Sequence, residues 1–224
     1  MIKIFTDGSS RGNPGPGGWG AIIVLEDRVI ELGGREDETT NNRMELSAVL
    51  ESLKYIKNEH NLEINTDSAY VLNGATRWVK GWVKNNWKTS TKDHVLNKDL
   101  WEQMLELTTH RNISWNLLKG HSGHSANERC DVIATSFADN APVVLYVGSK
   151  DRYGVNVNQT ISKTEGKSKS KTKAYSYISM VDNEIQVHKT WDECKARVNG
   201  KSGARYKKST SPENEEEIIA DFGE

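Results

Sequence analysis

Cysteine is scarce in this sequence, with two in 224 residues, Cys130 and Cys194. Their separation matches no metal-ligand spacing. A pair leaves room for one bridge at most, which excludes the disulfide-dense class of small secreted folds. Long apolar runs are missing too. No stretch approaches the roughly 20 residues that cross a bilayer, and mean hydropathy is −0.70, so no membrane partner is expected. The amino-terminal MIKIFTDGSS lacks the basic start and apolar core of a signal peptide and reads directly as a strand. Two lone cysteines and no export signal point to a reducing, cytoplasmic setting. Nor is there an excess of one charge: the formal net charge is −1. That sum argues neither for nor against a nucleic-acid partner, because distribution matters more. Basic residues do gather over 77–92, 163–173 and 201–208, and each segment could build a binding face.

What is present is a hydrophobic period that changes along the chain. Residues 2–5 read as a short strand, the Gly- and Pro-rich 12–18 as a turn, and 19–25 and 28–34 as an antiparallel pair. From Asn42 the spacing turns helical, with Met44, Leu46, Ala48, Val49, Leu50 and Leu53 forming a wide apolar stripe. A strand over 62–66 ends at Asp67. Helices are expected over 68–74, 76–83, 96–108 and 128–138, with a strand over 113–118. This order predicts an α/β domain over 1–140, a mixed five-stranded sheet flanked by helices. Residues 141–173 read as a linker or extension, with strand-like pieces at 143–147 and 154–157 and a Lys/Ser-rich end, SKTEGKSKSKTK, too polar to bury a core. Over 174–224 a small ββαβα domain is expected, with strands at 174–180, 184–188 and 205–208. Thr190 should cap a helix over 191–198, with Glu193 completing a capping box, and a last helix should cover 212–220.

Four acids stand where the predicted elements begin or end. Asp7 and Asp67 end strands, Glu45 lies in the first turn of the helix after the third strand, and Asp131 in the first turn of the last helix of the large domain. Carboxylates on adjacent strand ends point to one spot. Held together they repel, so they must shift their pKa values or bind cations. Mg²⁺ prefers such hard oxygen ligands, and two ions roughly 4 Å apart can activate water and stabilise a leaving oxygen of a phosphodiester. Any one of these acids taken alone is ordinarily a solvated surface group, and spacing by itself does not overturn that.

The flanking residues add a second line of argument. The stretches IFTDGSSRGNPGPGGWGAI, TTNNRMEL, NTDSAYV, WVKGWVKNNWKTS and KGHSGHSANERCD, with the helix beginning at Asp99, occur in one order over 2–140. Together they resemble type 1 ribonuclease H. The resemblance implies a two-metal endonuclease that cuts the RNA strand of an RNA–DNA hybrid, leaving 3′-hydroxyl and 5′-phosphate ends. Asp7, Glu45, Asp67 and Asp131 would be its catalytic metal ligands for two Mg²⁺, with Mn²⁺ able to substitute. His121 would be the histidine of a mobile loop, shuttling protons or helping product and metal leave. His124, in the same loop, reads as a surface histidine.

The same resemblance places Gly12 and Asn13 against the RNA minor groove, Asn41 and Asn42 near the scissile sugar and Thr40 on a DNA phosphate. Plain structural roles compete: a hairpin turn for the glycine segment, a helix N-cap for Asn42. Trp78, Trp82, Lys84 and Lys88 would belong to a basic protrusion holding the DNA strand, although Trp78 and Trp82 at i, i+4 also suit a core. Ala69 stands where the family often has glutamine, which removes one RNA contact. The carboxy-terminal TWDEC, GARYKK and acidic helix resemble the hybrid-binding domain usually found at the amino terminus of eukaryotic ribonucleases H. Trp191, Tyr206, Lys207 and Lys208 would contact hybrid, or double-stranded RNA, there. Against this stand the domain's place at the opposite end and the acidic Asp182 and Glu184 in a loop expected to be basic, and Trp191 could instead pack its own core. A monomer is expected. The rival readings are a pure nucleic-acid binder, which gains nothing from four crowded acids, and a related nuclease such as an integrase or Holliday-junction resolvase, in which TTNNRMEL and KGHSGH are not expected.

Overall fold

The computed structural model describes residues 1–57, 59–119, 123–158, 174–181, 184–201 and 204–223, less the side chains of 213, 214, 217, 220, 221 and 223. The chain forms two compact units, Met1–Ile161 and Ser162–Glu224. Among the described residues no helix is long and apolar enough to cross a membrane.

In the first unit three antiparallel strands, β1 (Ile2–Ser10), β2 (Gly15–Val24) and β3 (Arg28–Thr39), lead into α1 (Asn41–Tyr55). Strand β4 (Asn61–Thr66) lies parallel to β1, and β5 (Asn112–Leu117) lies parallel to β4. Between them come α2 (Ala69–Asn73), a π turn (Gly74–Trp78), α3 (Val79–Lys84) and α4 (Lys98–Thr108); α5 (Ser125–Ala138) follows β5. The side-chain alternation of a strand sorts the core into two faces. Ile2, Ile4, Ile23 and Ile30 join Leu46, Val49, Leu50 and Leu53 of α1, whereas Phe5, Ile22, Val24 and Val29 join Ala126 and Cys130 of α5. The sheet is thus sandwiched between helices, the α/β arrangement expected from the sequence.

The strand count is corrected. The sheet has six strands, ordered β5-β4-β1-β2-β3-β6, because β6 (Val147–Ser149) pairs antiparallel with Arg28–Ile30 at the free edge of β3. Residues 141–158, expected within a linker or extension, belong to the first unit, and no strand forms over 154–157. Tyr146, Tyr153 and Val155 pack against the second face of the core, and Val157 is buried in it. The physical reason is Glu31, a carboxylate only 2% exposed. Arg129 donates to both its oxygens at 2.7 Å, the Tyr153 hydroxyl donates at 2.6 Å and the Tyr146 N–H at 2.9 Å. A buried charge must be paired and hydrogen-bonded, and two of these donors come from the strap 141–158.

The second unit follows the ββαβα expectation: β7 (Ser176–Val181), β8 (Glu184–His188), α6 (Trp191–Val198), β9 (Arg205–Ser209) and α7 (Pro212–Gly223), with sheet order β8-β7-β9. Thr190 accepts from the Glu193 N–H and the Glu193 carboxylate reaches back, the capping box read in the sequence. Ile178 meets Ile218 and Phe222 of α7, while Arg197 of α6 donates to Ser179 one residue on, so the two helices cover opposite faces of β7. Cys130 and Cys194 are both free and buried, one in each unit.

Glu31→Gln tests the strap. Burial raises the Glu31 pKa, but the bonds from Arg129, Tyr153 and Tyr146 outweigh it, and the net direction is down. A depressed carboxylate stabilises above its unfolded pKa, and that contribution is lost as pH falls through the folded one. The substitution is expected to cost about 3 kcal/mol at pH 7, and the cost should shrink below about pH 4. Denaturant unfolding at pH 7 and pH 3 checks both, and an equal cost at the two values would contradict the account.

Candidate active site

Asp7 lies inside β1, not at its end, with Gly20 of β2 opposite. On the other side β1 runs parallel to β4, Thr6 beside Thr66, so the next residues, Asp7 and Asp67, emerge next to each other. Glu45 sits in the second turn of α1, one turn later than expected. Gly8 sets its position: a Cβ there would lie 2.2 Å from the Glu45 nitrogen and 2.5 Å from the Met44 carbonyl carbon. Only glycine lets the helix approach the strand this closely. The result is a cluster in which one carboxylate oxygen each from Asp7, Glu45 and Asp67 lies within 4.8 Å of the others.

Polar contacts in the cluster are few. The Gly8 N–H donates to Asp7 Oδ1 at 2.8 Å, Asn41 Nδ2 to Glu45 Oε1 at 3.4 Å and Asn127 Nδ2 to Asp67 Oδ2 at 3.2 Å. Glu45 Oε2 is buried without a hydrogen-bond partner. Burial, then the charges of Asp67 and Asp131, push Asp7 from 3.8 up to about 8. Burial, with Asp7 and Asp67 beside it, also pushes Glu45 well up. An orphaned carboxylate oxygen among three hard donors is what a divalent cation satisfies, so the residues present fit a metal.

Asp131 is half-buried in the second turn of α5, which starts at Ser125 rather than three residues later. It is near enough for its charge to act on Asp7, yet it is not one of the three residues in the 4.8 Å cluster. Asn127, one helical turn before it, escaped sequence reasoning; its i−4 spacing from Asp131 is the signal that could have found it. His121 lies outside the described residues. His124, expected at the surface, is 6% exposed and precedes the first turn of α5 with its ring 5.2 Å from Phe5. The ring packs beside Phe5 instead of facing water, with both nitrogens buried and unpartnered among the described residues.

Around the cluster, Gly12 and Asn13 are exposed, as are Asn41 and Asn42 in the first turn of α1. The N-cap is Thr40, whose side chain accepts from the Arg43 N–H, so the cap role weighed for Asn42 falls two residues earlier. Farther along, Trp78 is 40% exposed and stacks 5.7 Å from Trp82, which is itself partly buried and packs edge-on to Trp101 at 5.6 Å. Lys84 and Lys88 are exposed. In the second unit Trp191 stands between Tyr177 at 5.6 Å and Tyr206 at 5.3 Å. Tyr177 is a third ring the sequence reading did not single out; its alternation with buried Ile178 is the available cue. Tyr206 and Lys208 share one face of β9, whereas Lys207 lies opposite Ile178 on the face covered by α7.

Residues 1–139 match the family described as RNase H, and residues 182–214 match the Ribonuclease H1 N-terminal domain. The chain is 49% identical over 138 residues to the Ribonuclease H of Zymomonas mobilis subsp. mobilis, covering 62% of this chain and 88% of that one. It is 50% identical over 138 residues to that of Hydrogenovibrio crunogenus, covering 62% and 95%. Among solved structures it is similar to LC9-RNase H1, a type 1 RNase H with the type 2 active-site motif, with a TM-score of 0.57 and 27% identity over 66% of this chain and 76% of that one.

The raised Asp7 pKa has a thermodynamic signature. A carboxyl whose folded pKa exceeds its unfolded one stabilises fully below the unfolded pKa, and that contribution is lost as pH rises through the folded value. In chelator, wild-type protein should therefore lose stability between about pH 4 and 8 relative to Asp7→Asn, and Mg²⁺ should restore it. Thermal unfolding of both proteins across pH checks this; a difference independent of pH would contradict it.

Proposed function

The chain belongs to the RNase H family, and from that membership we propose that it hydrolyses the RNA strand of RNA–DNA hybrids, leaving 3′-hydroxyl and 5′-phosphate ends. The observation that carries the reading is the cluster of Asp7, Glu45 and Asp67 with its unpartnered Glu45 oxygen. These residues, with Asp131 beside them, would hold two Mg²⁺, for which Mn²⁺ can substitute. Bound there, the ions supply an activated water and charge stabilisation at the leaving oxygen.

The chain's own residues prepare the site. Buried carboxylates cannot all ionise in one place, so the site favours whatever brings positive charge to it. Asn127 and Asn41 hold Asp67 and Glu45 by their amides and leave other carboxylate oxygens available. His121 would carry protons at the rim. Gly12, Asn13, Asn41 and Asn42 would read the sugar groups of the RNA strand, where the 2′-hydroxyl distinguishes RNA from DNA. Thr40 and the protrusion bearing Trp78, Trp82, Lys84 and Lys88 would hold the DNA strand, and Trp82, braced on Trp101, would act chiefly by supporting Trp78.

The second unit would add hybrid or double-stranded RNA binding. The row Tyr177–Trp191–Tyr206, with Lys208 on the same face, supports it, because rings stack on sugars and bases and a lysine neutralises phosphate. The match over residues 182–214 to the domain found in other ribonucleases supports it as well.

Two experiments test these readings. Asp7→Asn should lower cleavage of a labelled hybrid in Mg²⁺ by about three orders of magnitude or more while leaving hybrid binding in place; full activity would overturn the metal assignment. Trp191→Ala with Tyr206→Ala should weaken hybrid binding by roughly 10-fold or more, since each stacked ring is worth about 1–3 kcal/mol, with kcat unchanged. Unchanged affinity would make the second unit an accessory that packs its own core.

A further inference from the structure

The loop joining β1 to β2 is the element assigned to the RNA minor groove, and its tip, 11–14, lies outside the ladder that pairs Ser10 with Gly17 and Gly15 with Thr39. Arg11 through Pro14 are exposed. Inside the loop, the Arg11 N–H donates to the Pro16 carbonyl at 2.7 Å and the Ser10 hydroxyl to the Gly12 carbonyl at 2.8 Å. Gly12 has φ +148°, and a Cβ on it would lie 2.9 Å from the Pro14 oxygen. These bonds shape the loop; they do not fix it to the body of the domain.

Among the described residues, the side chain that ties this tip to a distant element is Arg11. Arg11 crosses to the far end of α5, where Nε lies 2.5 Å from Asp139 Oδ1 and the second guanidinium nitrogen 2.7 Å from Oδ2. Asp139 is the C-cap of α5, and its own N–H donates to the Thr135 and Phe137 carbonyls. A second guanidinium meets the same helix end: Arg35 of β3 donates to the Phe137 carbonyl at 2.9 Å and to the Ala138 carbonyl. Two cations at the carbonyl end of a helix are placed where the helix dipole favours them. Helix α5 also carries Asn127 and Asp131, so its end is a fixed point of the catalytic framework.

We propose that Arg11 and Asp139 form a positioning clamp that holds the β1–β2 loop in its substrate-reading conformation by tying it to α5. The inference rests on the reading that this loop touches RNA. Both side chains are about half exposed, 42% and 52%, so the pair adds little to folding stability. Its effect lies in ordering the loop before substrate arrives, which lowers the cost of binding. The clamp acts on substrate affinity and leaves the carboxylate chemistry alone.

The alternative is that Arg11 contacts a phosphate directly, and the two differ at Asp139. A clamp is broken equally from either end, whereas a phosphate-binding arginine is released when Asp139 is removed. Arg11→Ala and Asp139→Ala in the full chain should each raise KM for hybrid roughly 3- to 10-fold with kcat within about twofold, the double variant being no worse than either single one. The thermal midpoint should move by less than about 2 °C. The exchanged pair Arg11→Asp with Asp139→Arg should restore most of the affinity. If Asp139→Ala leaves KM unchanged or lowers it, or if the exchanged pair binds as poorly as Arg11→Asp alone, the clamp is overturned. Asn13→Ala separates the two levels. If it raises KM while the Arg11 and Asp139 variants do not, only the clamp fails; if Asn13→Ala has no effect either, the assignment of the loop to RNA fails with it.

Discussion

The constraint on which the rest of the site depends is the repulsion among Asp7, Glu45 and Asp67. Three carboxylates cannot be brought within 4.8 Å of one another at the edge of an apolar core unless something else fixes the backbone that carries them. Here that work is done by a parallel strand pair, which sets Asp7 beside Asp67, and by Gly8, which admits α1 close enough to deliver Glu45. The cores behind these elements, with Ile4, Ile64 and Leu46 fully buried, stabilise the arrangement against the charge it concentrates. A cation bound there would offset the charge that the cluster concentrates.

The first unit ends with a similar lesson in electrostatics. Glu31 is even less exposed than Glu45, 2% against 6%, yet the two carboxyls titrate in opposite directions. Glu31 is met by a bidentate arginine, a tyrosine hydroxyl and a backbone N–H; Glu45 has a long amide contact from Asn41, the Gly8 backbone N–H and an orphaned oxygen. Burial raises both; an arginine and two further donors bring Glu31 down, whereas Asp7 and Asp67 push Glu45 further up. The same comparison separates a carboxylate that holds the fold together from one whose unpartnered oxygen a cation could satisfy.

Much of this was legible in the sequence because the local signals are strong. The apolar stripe of α1, the Thr190–Glu193 box and the motifs around Asp7, Glu45 and Asp67 each sit within a few residues. What was not legible depends on contacts across the chain. Nothing near residues 141–158 announces that Tyr146 and Tyr153 will serve Glu31, more than a hundred residues earlier. The burial of His124 depends on Phe5, and the tie from Arg11 on Asp139. Strand ends were read short, because alternation fades where β1 and β3 run on past their buried residues into Ser9–Ser10 and Arg35–Glu38. In the second unit the ring row needs α6 to dock on the sheet and set Trp191 between Tyr177 and Tyr206.

Burial, and then crowding, hold the cluster partly protonated, and on the proposed reading a divalent metal relieves it. Metal binding must then displace protons. Calorimetric titration of Mg²⁺ or Mn²⁺ into the full chain, repeated in buffers of different ionisation enthalpy, measures that directly. With Asp7 near pKa 8, binding at pH 6.5 should release about one proton or more, and the release should decline towards pH 9. Metal binding without proton release at pH 6.5, or release unchanged in Asp7→Asn, would contradict the account.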